Sequence, residues 1–81
     1  MDHELIVIAE FESASGLTRA EIVELVEYGV FAPAGAAIEQ WAFPDTALEL
    51  ARVAARLRAD FELAPSSLAL VLAYRERVQE L

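Results

Sequence analysis

The sequence predicts a mainly α-helical domain with four helices, two of them in a helix-turn-helix, and a small β-hairpin. Three patterns predict it: a capping-box spacing, an apolar stripe at helical spacing just after it, and a Pro-Ala-Gly segment flanked by aromatic residues. The 81 residues allow one domain, residues 1–81, and the 57% hydrophobic content excludes intrinsic disorder. The absence of Cys excludes disulfides, thiolate catalysis and Cys-based zinc sites.

A tight connection between two short helices forms the predicted helix-turn-helix. Gly16 ends the first helix, because glycine readily adopts the positive φ of a helix end. Thr18 and Glu21 have the capping-box spacing, in which each side chain satisfies a free backbone N–H. Ile22, Leu25 and Val26 then lie on one apolar face at i, i+3 and i+4. The predicted elements are a strand over residues 5–8, a helix over residues 9–15 with Phe11 buried, and a helix over residues 19–28.

A hairpin wing and two longer helices complete the predicted order. Phe31 precedes Pro33-Ala34-Gly35, and Trp41 and Phe43 follow it, so two short strands over residues 30–32 and 41–43 would bring the aromatic rings together. The sequence therefore predicts a winged helix-turn-helix. A third helix is predicted over residues 46–61, with Asp45 as N-cap and an apolar stripe of Leu50, Val53, Leu57 and Phe61. A fourth helix is predicted from Pro65 to the C-terminus, with a stripe of Leu68, Val71, Leu72 and Val78 and with Leu70, Tyr74 and Leu81 outside it.

The net charge of −8 is concentrated in one part of the chain. Residues 1–51 carry ten acidic side chains and one Arg, a net −9, whereas residues 52–81 carry four acidic side chains and five Arg, a net +1. The second predicted helix offers Glu21, Glu24 and Glu27, where a DNA-reading helix offers Arg, Lys, Asn or Gln. A surface of this sign repels phosphate and suits a basic protein partner.

Seven residues are candidate partner contacts, and each has a structural alternative. The glutamates of the second helix are either partner contacts or a solvated face, with Glu21 also serving as a cap. Asp60 and Glu62, at the end of the third helix, have the same two interpretations. Leu70 and Tyr74 either contact a partner or a second copy, or pack within the chain. The full set of candidates is Glu21, Glu24, Glu27, Asp60, Glu62, Leu70 and Tyr74.

Two further groups of side chains have two interpretations each. The arginines of the third helix are either a phosphate-binding stripe or, as we expect, a face of ion pairs at i±3 and i±4. The expected pairs are Glu49–Arg52 and Arg56–Asp60. Trp41 and Phe43 are either an exposed platform or, as we expect, the strand that closes the core.

Side chains for catalysis are nearly absent. One His, no Cys and no Lys leave only carboxylates, and pairs such as Glu10 and Glu12 do not face each other on a helix. The sequence has no Gly-rich phosphate loop and no metal-ligand spacing, so no enzyme, cofactor or metal site is predicted. Its apolar runs are shorter than a membrane span and its start is acidic, unlike a signal peptide. We therefore expect a cytoplasmic protein without a membrane partner.

The order of several local motifs resembles the MerR-type winged helix-turn-helix group and, more narrowly, the CbpM chaperone modulator family. The motifs are Gly16-Leu17-Thr18, the helix end "ELVEYGVFAP", the Trp-x-Phe-x-Asp step, the helix end "ARLRADFEL" and the helix start "SLALVL". DNA-binding MerR regulators usually carry arginines in the second helix and a Tyr-Arg-x-Tyr step. This chain has Trp41-Ala42-Phe43-Pro44 there, which favours the modulator family.

The resemblance implies a non-catalytic regulator that binds the J-domain of a CbpA/DnaJ-type Hsp40 co-chaperone. It implies inhibition by competition with Hsp70 for a basic surface of the J-domain, and a homodimer through the C-terminal helix. The alternatives are a MerR-like DNA-binding transcriptional regulator and a plain oligomerisation module. The acidic second helix and wing favour the modulator over the DNA-binding regulator, so no nucleic acid partner is expected.

Overall fold

Four α-helices and a two-stranded antiparallel sheet form the part of the chain that the computed structural model describes, residues 4–80, with side chains described for residues 4–74. This architecture confirms the predicted mainly α-helical class. The elements are β1 (Leu5–Val7), α1 (Ile8–Ser15), α2 (Arg19–Glu27), a one-turn 3₁₀ helix (Ile38–Gln40), β2 (Ala42–Pro44), α3 (Ala47–Phe61) and α4 (Pro65–Glu80).

The turn between α1 and α2 forms as predicted. Gly16 has a φ of 87°, and its N–H donates to the carbonyl oxygen of Glu12 at 3.0 Å, which ends α1. The Thr18 hydroxyl oxygen accepts a hydrogen bond from the Glu21 N–H at 3.2 Å. The Glu21 carboxylate accepts one from the Thr18 N–H at 2.9 Å. The predicted capping box is therefore confirmed, and it fixes the first turn of α2.

The sheet differs from the predicted wing. β2 pairs with β1, so that Ile6 lies opposite Phe43, and the predicted strand before Pro33 is absent from the described residues. The loop that replaces it is closed by a single bridge, in which Ala34 and Ala42 exchange two backbone hydrogen bonds of 2.9 Å. Because Pro33 has no N–H, the ladder cannot extend through it. The predicted hairpin pairing over residues 30–32 and 41–43 is therefore wrong.

Three phenylalanine rings form the centre of the core. The rings of Phe11 and Phe43 stack with centroids 4.3 Å apart, and Phe31 meets Phe11 edge-on at 5.5 Å. Trp41 is half-buried and packs edge-on against Phe43 at 6.3 Å. The expected core position of Trp41 and Phe43 is thus confirmed, although the rings meet from α1, a loop and β2 rather than across a hairpin.

α3 packs against α1 through small side chains. Ala51 and Ala54 are fully buried, whereas Phe61, a member of the predicted stripe, is 67% exposed. Two closely packed helices bury small residues where their backbones approach, so the largest apolar side chains lie to the side of the contact. The predicted apolar stripe of α3 is therefore wrong at Phe61. Its other three members are half-buried: Leu50, Val53 and Leu57.

Both longer helices begin within one residue of their predicted starts. Thr46, rather than the predicted Asp45, holds the N-cap position of α3, and its side chain makes no capping hydrogen bond. The Asp45 carbonyl oxygen accepts the Leu48 N–H at 3.1 Å, so the chain already turns before the first helical residue. Pro65 opens α4 as predicted, since the first helical position requires no N–H donor.

α4 packs against α2 and α3 through one apolar face. Leu68 and Leu72 are buried as predicted, and Ala69 is buried beside them. Val71, which the sequence places in the same stripe, is 39% exposed, because the buried face is centred one residue away from it. Two further predicted positions lie outside the described side chains: Val78 and Leu81.

Candidate partner-binding surface

Glu21 is held by two neighbouring elements. Its carboxylate accepts from the Thr18 N–H in the capping box and also receives the Arg58 guanidinium of α3. The side chains of Arg58 and Glu21 are only 30% and 17% exposed, respectively. Arg58 also donates to the carbonyl oxygen of Gly16 at 3.3 Å. Glu21 therefore joins the start of α2 to α3, and its role as a partner contact stays a prediction.

Glu24 and Glu27 lie on the exposed face of α2. Neither carboxylate forms an ion pair with a described residue, and the last turn of the helix contains no basic residue. The one arginine of α2, Arg19, turns back to Glu12 of α1 at 3.1 Å. Because the C-terminal end of a helix carries a partial negative charge, these carboxylates lie where the backbone is negative as well.

The loop that replaces the predicted wing offers no positive charge. Residues 34–40 are all exposed and contain Glu39 as their single charged residue. The turn depends on Gly35, which has a φ of 113° and whose added Cβ would lie 2.7 Å from the carbonyl oxygen of Gln40. The loop thus adds no base to balance the exposed glutamates of α2, where phosphate contacts would be repulsive.

Asp60 and Glu62 are exposed at the end of α3. Glu62 follows the helix in the left-handed conformation, with a φ of 53°, and its N–H donates to the Arg58 carbonyl oxygen at 2.7 Å. A non-glycine residue in this region is uncommon. Both residues are therefore accessible to a partner.

Leu70 and Tyr74 lie on the outer face of α4. They are 74% and 72% exposed, respectively, so the alternative in which they pack within the chain is wrong. Their spacing of four residues places them on one face of the helix. They form an apolar patch open to a partner or to a second copy.

Two of the three arginines of α3 link elements instead of pairing within their own helix. Arg52 donates from Nε to the Ala14 carbonyl oxygen at 3.2 Å, near the end of α1, and Arg58 reaches Glu21 and Gly16. The last carbonyl oxygens of a helix receive no N–H from within the helix. An arginine from a neighbouring helix can donate to them instead. Two predicted ion pairs are not formed among the described residues: Glu49–Arg52 and Arg56–Asp60.

A small cleft, which we call the α2–α4 cleft, lies where α2, α3 and α4 meet and has a volume of about 70 Å³. Ala69, Leu72 and Ala73 of α4 line one side. Residues 28–30, at the end of α2, and Leu50 of α3 complete the lining. Sequence reasoning missed this cleft, although two alanines at i and i+4 on an otherwise bulky helix were a signal for it.

No three His, Asp or Glu side chains within the described part of the chain lie close enough together to hold a metal ion. None of the helices described is long and apolar enough to cross a membrane.

The helices, the capped turn and the loop closed on β2 define a helix-turn-helix domain of the winged type, with an acidic face on its second helix. The chain belongs to the MerR HTH family: the family described as "MerR HTH family regulatory protein" matches residues 6–81. The predicted resemblance at the level of this family is confirmed.

Three relatives narrow the comparison, and all three are named chaperone modulatory protein CbpM. The protein of Pseudomonas putida (strain W619) is 42% identical over 65 residues, which are 80% of this chain and 64% of that relative. Those of P. putida (strain GB-1) and Pseudomonas entomophila (strain L48) are 40% and 37% identical over 60 residues, or 74% of this chain and 59% of each relative. The chain therefore spans less than two thirds of the length of these relatives, and the predicted similarity to the CbpM family is confirmed.

Proposed function

We propose that this protein is a non-catalytic chaperone modulator that acts in the cytoplasm. In this proposal it binds the J-domain of a CbpA/DnaJ-type co-chaperone and inhibits it by competing with Hsp70. The observation that carries the proposal is the acidic face of α2, where Glu24 and Glu27 are exposed, together with the absence of any base in residues 34–40. The name of the relatives, chaperone modulatory protein, supports a chaperone-modulating role.

Charge and apolar contact have different roles in this mechanism. Complementary charge speeds the encounter with a basic J-domain surface and disfavours acidic partners, whereas buried apolar contacts supply most of the affinity. Once that basic surface is covered, Hsp70 cannot use it, and stimulation of the Hsp70 ATPase falls with occupancy. Asp60 and Glu62, accessible at the end of α3, are a second candidate contact for the same partner.

A homodimer through α4 is the second part of the proposal. Leu70 and Tyr74 are large, exposed and on one helical face, and a second copy would remove them from water. Burial of apolar area contributes about 25 cal/mol per Å² to the free energy of association. In a two-fold symmetric contact, each of these side chains is buried once in each copy, so its area contributes twice.

The deciding experiment titrates a fluorescently labelled CbpA-type J-domain with this protein in 50 mM NaCl. We expect saturable binding in the micromolar range or tighter, together with a dose-dependent loss of J-domain-stimulated Hsp70 ATPase activity. Added Hsp70 should restore that activity, because the inhibition is competitive. Absence of binding at tens of micromolar in low salt would overturn the proposal.

DNA binding is the alternative function, and it can be tested with the same protein preparation. Fluorescence anisotropy with a labelled promoter duplex should show no salt-sensitive binding, because the exposed face of α2 repels phosphate. A salt-sensitive gel shift would instead favour a MerR-like transcriptional regulator. A MerR-type regulator with basic residues on its second helix serves as the positive control.

A further inference from the structure

We propose that the α2–α4 cleft receives one apolar side chain from a basic segment of the partner, whose positive charges lie against Glu24 and Glu27. This inference rests on the proposed function and identifies the surface of the protein that would bind the J-domain. It assigns affinity to the cleft and encounter rate to the two carboxylates.

The shape of the cleft fits an anchoring side chain. Its walls are mostly apolar, and Ala69 and Ala73 provide the space that larger residues on α4 would fill. Its volume of about 70 Å³ is well above the roughly 10–15 Å³ that one water molecule requires, which leaves room for a short aliphatic side chain. The lining residue Leu72 is 2% exposed and therefore belongs to the packed core. In protein interfaces, most of the affinity comes from a few side chains that fill pockets and are fully removed from water.

The charge around the cleft specifies what flanks that side chain. Tyr28 lines the cleft and is 55% exposed, and Glu24 lies one helical turn before it on α2. Glu27 is its direct neighbour, and the exposed Glu49 is the neighbour of the lining residue Leu50 on α3. No arginine among the described side chains lines the cleft. An apolar group accompanied by Lys or Arg therefore complements this position, and one accompanied by Asp or Glu does not.

The same charges argue against a second copy of this chain as the occupant. Residues 1–51 of a copy carry a net −9, so their approach to Glu24 and Glu27 is repulsive, whereas α4 lies in the part of the chain that carries a net +1. The apolar patch of Leu70 and Tyr74 provides the surface for self-association, whereas the cleft faces a partner of opposite charge.

Filling the cleft tests the role of the anchor. Ala73→Leu places a larger apolar side chain at an exposed position that lines the cleft, and Leu is nearly as good a helix former as Ala. We expect the dissociation constant for the J-domain to rise at least tenfold, with circular dichroism and thermal midpoint unchanged. Ala9→Leu is the matched control, because Ala9 is exposed on α1, which does not line the cleft. Its affinity should stay within twofold of the wild type.

Removing the rim charge tests the second half of the proposal. Glu24→Gln with Glu27→Gln should lower the association rate severalfold and flatten its salt dependence. Glu4→Gln with Glu10→Gln is the control, because it changes the net charge equally at two other exposed positions, one just before β1 and one on α1. It should lower the association rate less. Methyl NMR adds a direct readout, since the Ala69 and Ala73 signals should shift when the J-domain is added.

The outcomes separate the two proposals. If the wild type binds the J-domain but both sets of variants behave like their controls, the cleft is not the binding face and the proposed function stands. If the wild type does not bind, both the proposed function and this inference are overturned. If Ala73→Leu loses its fold, unshifted Ala69 and Ala73 signals in the wild-type complex overturn the inference by themselves.

Discussion

The Arg58 guanidinium of α3 pairs with the Glu21 carboxylate, which also caps α2, across 37 residues of sequence. One carboxylate thus serves the start of a helix and the contact between two helices. Arg58 extends the link by donating to the carbonyl oxygen of Gly16, inside the turn. Arg58 therefore holds the turn between α1 and α2 against α3.

Glu21→Ala should lower the free energy of unfolding by about 1–2 kcal/mol, because it removes a cap and a partly exposed ion pair together. Glu21→Gln keeps an acceptor for the Thr18 N–H and should cost under about 1 kcal/mol. Urea denaturation measures both. Glu24→Ala, at an exposed position, is the control, and an equal loss in that variant would contradict the double role of Glu21.

Phe11→Ala should lower the free energy of unfolding by about 3–5 kcal/mol, since it removes a fully buried ring that stacks on Phe43. Such a loss is a large fraction of the stability of a small domain, so near-ultraviolet circular dichroism should show loss of aromatic packing. Phe61→Ala removes the same group from a site that is 67% exposed and should change stability by less than about 0.5 kcal/mol. Similar losses in the two variants would contradict the described core.

Gly35→Ala should destabilise the protein more than Gly29→Ala does. Both glycines have positive φ, so each alanine incurs a backbone penalty of about 1–2 kcal/mol. At Gly35 the added Cβ would also lie 2.7 Å from the carbonyl oxygen of Gln40, whereas at Gly29 it meets nothing within 4 Å. Thermal unfolding ranks the variants, and faster hydrogen exchange at Ala34 should mark the loss of its bridge to Ala42. Equal midpoints would exclude a tight turn at residue 35.

Leu70→Gln with Tyr74→Gln should convert a dimer to a monomer in sedimentation equilibrium. Both side chains are exposed in the single chain, so the unfolding free energy of the monomer should change by less than about 0.5 kcal/mol. Serine at the exposed residues Ala36 and Ala37, in the loop, is the control for two substitutions on a different surface. A wild type that stays monomeric at 100 µM would contradict the homodimer.

The association rate with the J-domain should fall steeply between 50 and 500 mM NaCl, while the dissociation rate changes little. Exposed charges more than about 10 Å apart are largely screened at 0.1 M salt, and steering depends on such long-range attraction. Stopped-flow fluorescence separates the two rates. A salt-independent association rate would show that the acidic face of α2 does not steer the encounter.

Local patterns predicted the parts of the fold that depend on neighbouring residues. Gly16, Thr18 and Glu21 have a spacing that few other structures would satisfy, so the turn could be read from the sequence. Pro65 likewise opens α4, because its ring suits the first helical position.

Contacts between distant residues could not be predicted in the same way. The pairing of Ile6 with Phe43 and of Arg58 with Glu21 depends on how the helices pack, and no local pattern records it. The buried face of α3 follows the same rule, because close approach to α1 selects Ala51 over larger neighbours. For the candidate site, the exposed carboxylates were predictable from their spacing, whereas the cleft beside them required the positions of three helices.

The pairing of β1 with β2 sets an order of events while the chain is being made on a ribosome. β1 and Phe11 emerge before their partners, because β2 with Phe43 is translated only after α1 and α2. Until then Phe11 lacks its stacking partner, and the nascent helix-turn-helix carries an incomplete core. The core around Phe11 therefore cannot be completed until the middle of the chain has been translated. Until then, a chaperone that binds the nascent chain encounters exposed aromatic surface.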